Sequence, residues 1–223
     1  MKIPRVTGIV AVVVVTLSLL NFILKSYAYF VIIVNHTHDP AQTSTSKIAQ
    51  ETGDLDHTSL VFVPLLTFIP TKSPVILRPW VLFTSGLIEN GLLSLIVSLA
   101  LLFYLGRYVE TLWGTHEYMI FVGYIILVNN VCLWLFYSVK TYFAHEVYVA
   151  PVVKGTTALV MGLLVAVKQR IGNHYVIFFL GNVRIKVTYT PLALVGLALV
   201  GYLLDNDYAV AFHLSVLSLF SSW

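Results

Sequence analysis

The residues able to do chemistry in this chain are few and lie inside apolar sequence. Ser94 and Ser98 stand one helical turn apart, a threonine pair sits in Gly155-Thr156-Thr157-Ala158, and a lone imidazole, His213, interrupts the last apolar run. Hydroxyls and an imidazole are the materials of covalent hydrolysis, which needs an activated hydroxyl, a base within hydrogen-bond reach and donors aimed at a developing oxyanion. The simpler reading is packing. Ser94 and Ser98 with Gly91 make one small face, and Ala158, Gly162 and Ala166, four residues apart, make another, so the second and fourth helices can approach closely. The serine hydroxyls then bond back to carbonyls one turn earlier. His213, as a single imidazole bonded to a neighbouring hydroxyl or carbonyl, makes a poor metal site. The one cysteine, Cys132, leaves no partner for an intrachain disulfide or for CxxC chemistry. No cofactor or metal is expected.

The elements that must position these groups are set by composition. Of 223 residues, 58% are hydrophobic and only 10% are charged, which excludes a water-soluble protein. The ten acidic and thirteen basic residues form no block, so nucleic acid is not an expected partner; membrane lipids are. A hydrocarbon core of about 30 Å needs about 20 apolar residues of helix, because only a helix satisfies its own backbone in lipid. The runs at about 6–34, 87–105, 118–139, 152–167, 191–204 and 208–223 predict an all-α polytopic membrane protein of six spans, one domain over residues 1–223. The last three runs are short, and call for a thinned bilayer or shielding by neighbours. Although Lys2 and Arg5 precede the first run in the manner of a secretory signal, its apolar length favours a retained anchor.

Lys2, Arg5, Arg107, Lys168, Arg170, Arg184 and Lys186 fall on one side of this scheme, and Lys47, Lys72, Arg78 and Lys140 on the other. The bias puts both termini in the cytosol and the loop at 35–86 in the lumen. Within that loop the apolar stretch 60–69, broken by Pro64 and followed by Pro70, suits a re-entrant or interfacial segment. The sequon Asn35-His36-Thr37 abuts the end of a helix and is expected to stay unmodified. In the cytosolic loop at 168–190, Gly181-Asn182 separates two strand-like runs. The second alternates Val183, Ile185 and Val187 with Arg184 and Lys186, which predicts a β-hairpin with one basic face. Arg184 and Lys186 are therefore candidates for contact with an anionic leaflet or a coat or tether protein; the plainer role is packing on the helix ends. Arg107 and Glu110, three apart, can pair, and Glu110 can also accept donors from the re-entrant loop. Trp80, Trp113 and Trp134 suit an interfacial belt.

Several stretches carry a resemblance. Trp80 through Thr84, Ser94 and Ser98, the run Gly106-Arg107-Tyr108-Val109-Glu110-Thr111-Leu112-Trp113-Gly114, the Gly155-Thr156-Thr157-Ala158 stretch and His213 resemble, in order, the motif positions of the rhomboid-like superfamily. Arg107 to Gly114, the stretch beginning at Gly162, the hairpin strand around Arg184 and Lys186, and the terminal Leu219-Phe220-Ser221-Ser222-Trp223 together resemble the transmembrane protein 115 family. The first helix adds nothing to that likeness. Members of the family continue past the Ser-Ser-Trp into a hydrophilic cytosolic tail, so this chain is read as a fragment or truncation.

The resemblance implies a rhomboid-like six-helix bundle in which Thr157 holds the nucleophile position, His213 lies near that of the base, and Ser94 and Ser98 replace the His and Asn oxyanion donors. A threonine methyl crowds the attack trajectory, and two short hydroxyls do not reach across the gap. Loss of one oxyanion donor alone costs about two to three orders of magnitude in rate. The expectation is a non-enzyme whose motif residues Trp80, Gly106, Arg107, Glu110, Trp113, Gly114, Gly155 and Gly162 are architectural. By resemblance it acts in Golgi and early-secretory vesicle traffic, especially Golgi-to-endoplasmic-reticulum retrieval, through tethering machinery. Two alternatives stay open: a derlin-like quality-control factor of the endoplasmic reticulum, and an intramembrane protease using Thr157 and His213.

Overall fold

A computed structural model describes residues 4–38, 66–67, 69–70, 78–89, 91–143, 152–153, 155–173, 175–178, 183–204 and 208–222. Its elements are α1 (Arg5–His38), α2 (Leu92–Trp113), α3 (Thr115–Phe143), α4 (Thr157–Ile171), β1 (Tyr175–Phe178), β2 (Val183–Lys186), α5 (Thr190–Leu204) and α6 (Ala209–Ser221). A short helical turn, Val81–Thr84 running into Ser85–Leu87, precedes α2.

Helix α1 meets the bundle through Thr7, Ala11, Val14, Ser18 and Asn21, all buried, at alternating spacings of four and three. Such small and polar residues let backbones approach closely in lipid, where hydrophobicity does not drive helix association. Ile9, Val12, Leu19, Phe22 and Ile23 point outward. At 34 residues the helix rises about 51 Å, more than a bilayer's hydrocarbon core needs. The expected loop boundary at residue 35 therefore moves outward, and Asn35-His36-Thr37 lies inside α1.

Helix α2 starts at Leu92 rather than near 87, because the backbone is extended at Ile88 (ψ 128°) and Gly91 (ψ 142°). It is divided by a π-helical turn, Leu102–Gly106, and stops at Gly114, whose φ of +89° only glycine adopts readily. The two halves differ sharply. None of Leu92–Leu101 is buried, whereas Leu102, Leu105, Gly106, Val109 and Glu110 are.

Helix α4 is the axis of the bundle. Every residue from 158 to 167 is buried, as expected for a helix apolar on all sides. Gly162 is the point of closest approach, but to α3 rather than α2: a Cβ there would lie 3.1 Å from the Ile125 side chain. Among the described residues four helices, not six, are long and apolar enough to cross a membrane: Arg5–Ala28, Leu92–Trp113, Thr115–Phe143 and Val187–Leu204. The expected count of six fails at α4 and α6, whose 15 and 13 residues rise only about 22 and 20 Å. Shielding by neighbours takes the place of length for α4.

Contacts between distant segments define the two ends of the bundle. At one, Thr7 meets Glu110, the Thr188 hydroxyl donates to the Gly172 carbonyl at 2.5 Å, and the Gln169 amide donates to the Ser222 carbonyl at 3.1 Å. At the other, the Gly155 N–H donates to the Ser85 carbonyl at 3.2 Å, and the Thr84 hydroxyl donates to the Leu66 carbonyl at 2.9 Å. β1 and β2 pair antiparallel, with Tyr175 opposite Lys186 and Phe178 opposite Val183. The Gly181-Asn182 turn lies outside the described residues, as do most of 60–69 and the loop at 39–65; Leu66 is buried against Ile88, with Leu17 and Leu24 packed around them.

Candidate functional site

Two carboxylates organise the polar interior. Glu89 follows the extended break before α2 and turns its side chain back along that helix. Its Oε2 accepts the Ser94 hydroxyl at 2.5 Å; its Oε1 accepts the Ser98 hydroxyl at 3.0 Å, the Thr156 N–H at 2.9 Å and the Thr156 hydroxyl at 2.7 Å. The Glu89 N–H donates to Ser18 of α1 at 3.0 Å. One half-buried residue thus joins α1, α2 and the start of α4. Its position at the first turn of α4 also places negative charge where the helix dipole favours it.

This geometry revises the reading of the serines. Ser94 and Ser98 do not bond back to their own helix; both hydroxyls point to Glu89. The backbone at Gly155 has φ +112°, which turns the chain into α4 and presents Thr156 rather than Thr157 to the carboxylate. No hydrogen bond joins Thr157 to His213 among the described residues. The His213 Nδ1 lies 2.5 Å from the Ala209 carbonyl of its own helix, and the ring sits among Phe136, Tyr137, Tyr202 and Phe212 at centroid distances of 5.0 to 6.3 Å. The structure therefore brings Ser94 and Ser98 together with a partner sequence reasoning missed, and leaves Thr157 and His213 unjoined.

Glu110, at the opposite end of α2, is buried. It accepts the Val6 N–H at 3.1 Å, the Thr7 N–H at 2.8 Å and the Thr7 hydroxyl at 2.7 Å. These donors belong to the first turn of α1, not to the re-entrant loop, and capping them satisfies groups that an isolated helix leaves open. Gly106 makes the approach possible: a Cβ there would fall 2.5 Å from the Tyr118 hydroxyl and 3.2 Å from Thr7. Trp113 packs edge-on against Phe121 at 5.0 Å, while Trp80 is half exposed beside the turn that opens at Val81. Arg107 is half-buried and Lys186 exposed; the side chain of Arg184 lies outside the described residues.

A second missed pair lies in α3, in a run that reads as uninterrupted. Asn130 donates to the Leu82 carbonyl at 2.6 Å, and Asn129 donates to the Ile125 carbonyl at 2.7 Å and to the Ser221 hydroxyl at 3.1 Å. Ser218, also on α6, donates to the Ala158 carbonyl at 2.7 Å. Two adjacent amides in mid-span were the available signal, since buried polar groups in lipid must find partners. The arrangement as a whole holds helices; its hydroxyls face carboxylates, carbonyls and an amide, and among the described residues none is hydrogen-bonded to a histidine.

Residues 8–223 match the family described as eukaryotic integral membrane protein (DUF1751), so α1 is included in the likeness after all. The chain is 25% identical over 162 residues to Rhomboid-like protein 19 of Arabidopsis thaliana, covering 72% of this chain and 51% of that protein. To Transmembrane protein 115 of Bos taurus it is 33% identical over 147 residues, 65% of this chain and 41% of that one. To Protein pdh1 of Schizosaccharomyces pombe it is 28% identical over 110 residues, 48% of each. The chain thus spans about half the length of the curated relatives it matches, between 41% and 51%. An apolar, polytopic helical chain matched along nearly its whole length in this way belongs to the eukaryotic integral membrane protein family DUF1751, and with it to the rhomboid-like, transmembrane protein 115 group.

Proposed function

We propose that this chain is a non-catalytic rhomboid-like membrane scaffold that works in Golgi and early-secretory vesicle traffic, particularly Golgi-to-endoplasmic-reticulum retrieval, with both termini cytosolic. The observation that carries the non-catalytic part is the seat of Glu89. Oxyanion stabilisation requires donors aimed at an empty position where negative charge will develop. Here the Ser94 and Ser98 hydroxyls and both donors of Thr156 already face a carboxylate. A second anion at that place meets like charge instead of free N–H and O–H groups. The expected base, His213, bonds through Nδ1 to the Ala209 carbonyl of its own helix, and among the described residues no hydrogen bond joins it to Thr157.

Labelling with a fluorophosphonate or isocoumarin probe tests this part. No Thr157-dependent labelling is expected; labelling lost on Thr157→Ala would establish a protease. The trafficking part rests on the family likeness to transmembrane protein 115, with tethering-complex subunits as the partners it implies. Proximity labelling from the full-length protein checks it, with Golgi tethers and retrieval machinery as the expected neighbours.

One observation favours a second reading. Helices α4 and α6 have 15 and 13 residues, short enough to strain a bilayer of ordinary thickness, as a derlin-like quality-control factor would. Imaging separates the two, since residence confined to the endoplasmic reticulum favours this second reading and Golgi residence the first.

A further inference from the structure

We infer that the end of the bundle at which Glu110 caps α1 is a binding face for anionic phospholipid headgroups, formed jointly by α1, α4 and β2 rather than by the hairpin alone. The contacts of Thr7 with Glu110, Thr188 with Gly172 and Gln169 with Ser222 bring the start of α1, the end of α2, the end of α4, the end of β2 and the end of α6 to one level. Arg5, Arg170 and Lys186 are exposed there, with Arg107 and Lys168 half-buried beside them. Of the described carboxylates at this end, Glu110 is buried and its oxygens are taken by the first turn of α1, which leaves Glu117 as the exposed one. The face is therefore strongly cationic.

Depth selects the partner. Helix α4 rises only about 22 Å, less than a hydrocarbon core of about 30 Å, and is enclosed by the longer helices, so when those helices span the core Lys168 and Arg170 at its end reach no farther out than the headgroups. A basic side chain near an anionic leaflet contributes about fivefold in association, fading within a Debye length. An acidic soluble protein would have to reach into the headgroup layer to meet the same charges. The inference concerns lipid chemistry and does not depend on the trafficking reading.

The test is lipid selectivity of the whole chain in proteoliposomes. Spin-labelled phosphatidylserine is compared with spin-labelled phosphatidylcholine by electron paramagnetic resonance, for the wild type, for an Arg5→Gln, Arg170→Gln, Lys186→Gln triple variant, and for Lys140→Gln at the opposite end. A several-fold preference for phosphatidylserine is expected in the wild type, falling toward one in the triple variant and in molar salt, and unchanged in Lys140→Gln. Equal association of the two lipids with the wild type, a preference that survives molar salt, or an equal loss in Lys140→Gln would overturn the inference. So would binding of a soluble Asp/Glu-rich peptide through Arg5, Arg170 and Lys186 without lipid selectivity, which would assign the face to a protein. The wild-type salt series decides the matter even if the triple variant folds poorly.

Discussion

The two ends of α2 use the same group in opposite ways. Glu110 is buried, takes two of its three bonds from backbone N–H groups, and fastens α1 to a half-helix that is itself embedded in the core. Glu89 is half-buried, takes three of its four bonds from the hydroxyls of Ser94, Ser98 and Thr156 and the fourth from the Thr156 N–H, and serves a half-helix with no buried residue. At one end the carboxylate adds to packing; at the other it substitutes for packing. The π-helical turn Leu102–Gly106 marks the change between the two regimes.

The largest effect is expected from Glu110→Ala, which strands the Val6 and Thr7 donors in a buried place. Desolvation of unpaired groups puts the cost at about 3 to 5 kcal/mol, with α1 detaching first, and Glu110→Gln should recover part of it. Thermal unfolding in detergent, with proteolysis of residues 4–38 as the local readout, measures both. Gly106→Ala comes next. Its Cβ would collide with the Tyr118 hydroxyl at 2.5 Å, and overpacking of this kind costs about 1 to 3 kcal/mol. Glu89→Ala should lower global stability less, by about 1 to 2 kcal/mol, but change its distribution. Hydrogen exchange should rise across Leu92–Leu101 and at the start of α4 while Arg107–Trp113 stays protected. Uniform exchange along α2 would abolish the distinction drawn between its halves. The smallest effect belongs to Gly123→Ala, where nothing lies within 4 Å of the new methyl group; a helical alanine there should be neutral or stabilising by up to about 1 kcal/mol.

The sequence made the helices legible because apolar length is a property of each run. It showed the short runs too, since α4 and α6 are short in the sequence before they are short in space. What it could not show was which long-range partner a polar residue takes. Glu110 reads naturally as a partner for Arg107 one turn away, yet its oxygens go to Val6 and Thr7, more than 100 positions earlier. Ser94 and Ser98 were visible as a pair, but Glu89, a single acid before a helix, gave no hint that both hydroxyls converge on it. The likeness that highlighted Thr157 was one residue from Thr156, which makes the contact. That difference depends on where Gly155 turns the chain, and helix boundaries are the least readable feature of a sequence. Asn129 and Asn130 vanished into an average of hydropathy that their neighbours dominate.

The central claim is that the hydroxyl donors of this scaffold are already committed to a resident carboxylate. Purified chain in proteoliposomes, incubated with a model transmembrane substrate, tests it directly through cleavage-product formation in wild type, Thr157→Ala and His213→Ala. No product is predicted above the level of protein-free vesicles in any of the three. Cleavage by the wild type that disappears on substitution of Thr157 or His213 would contradict the account.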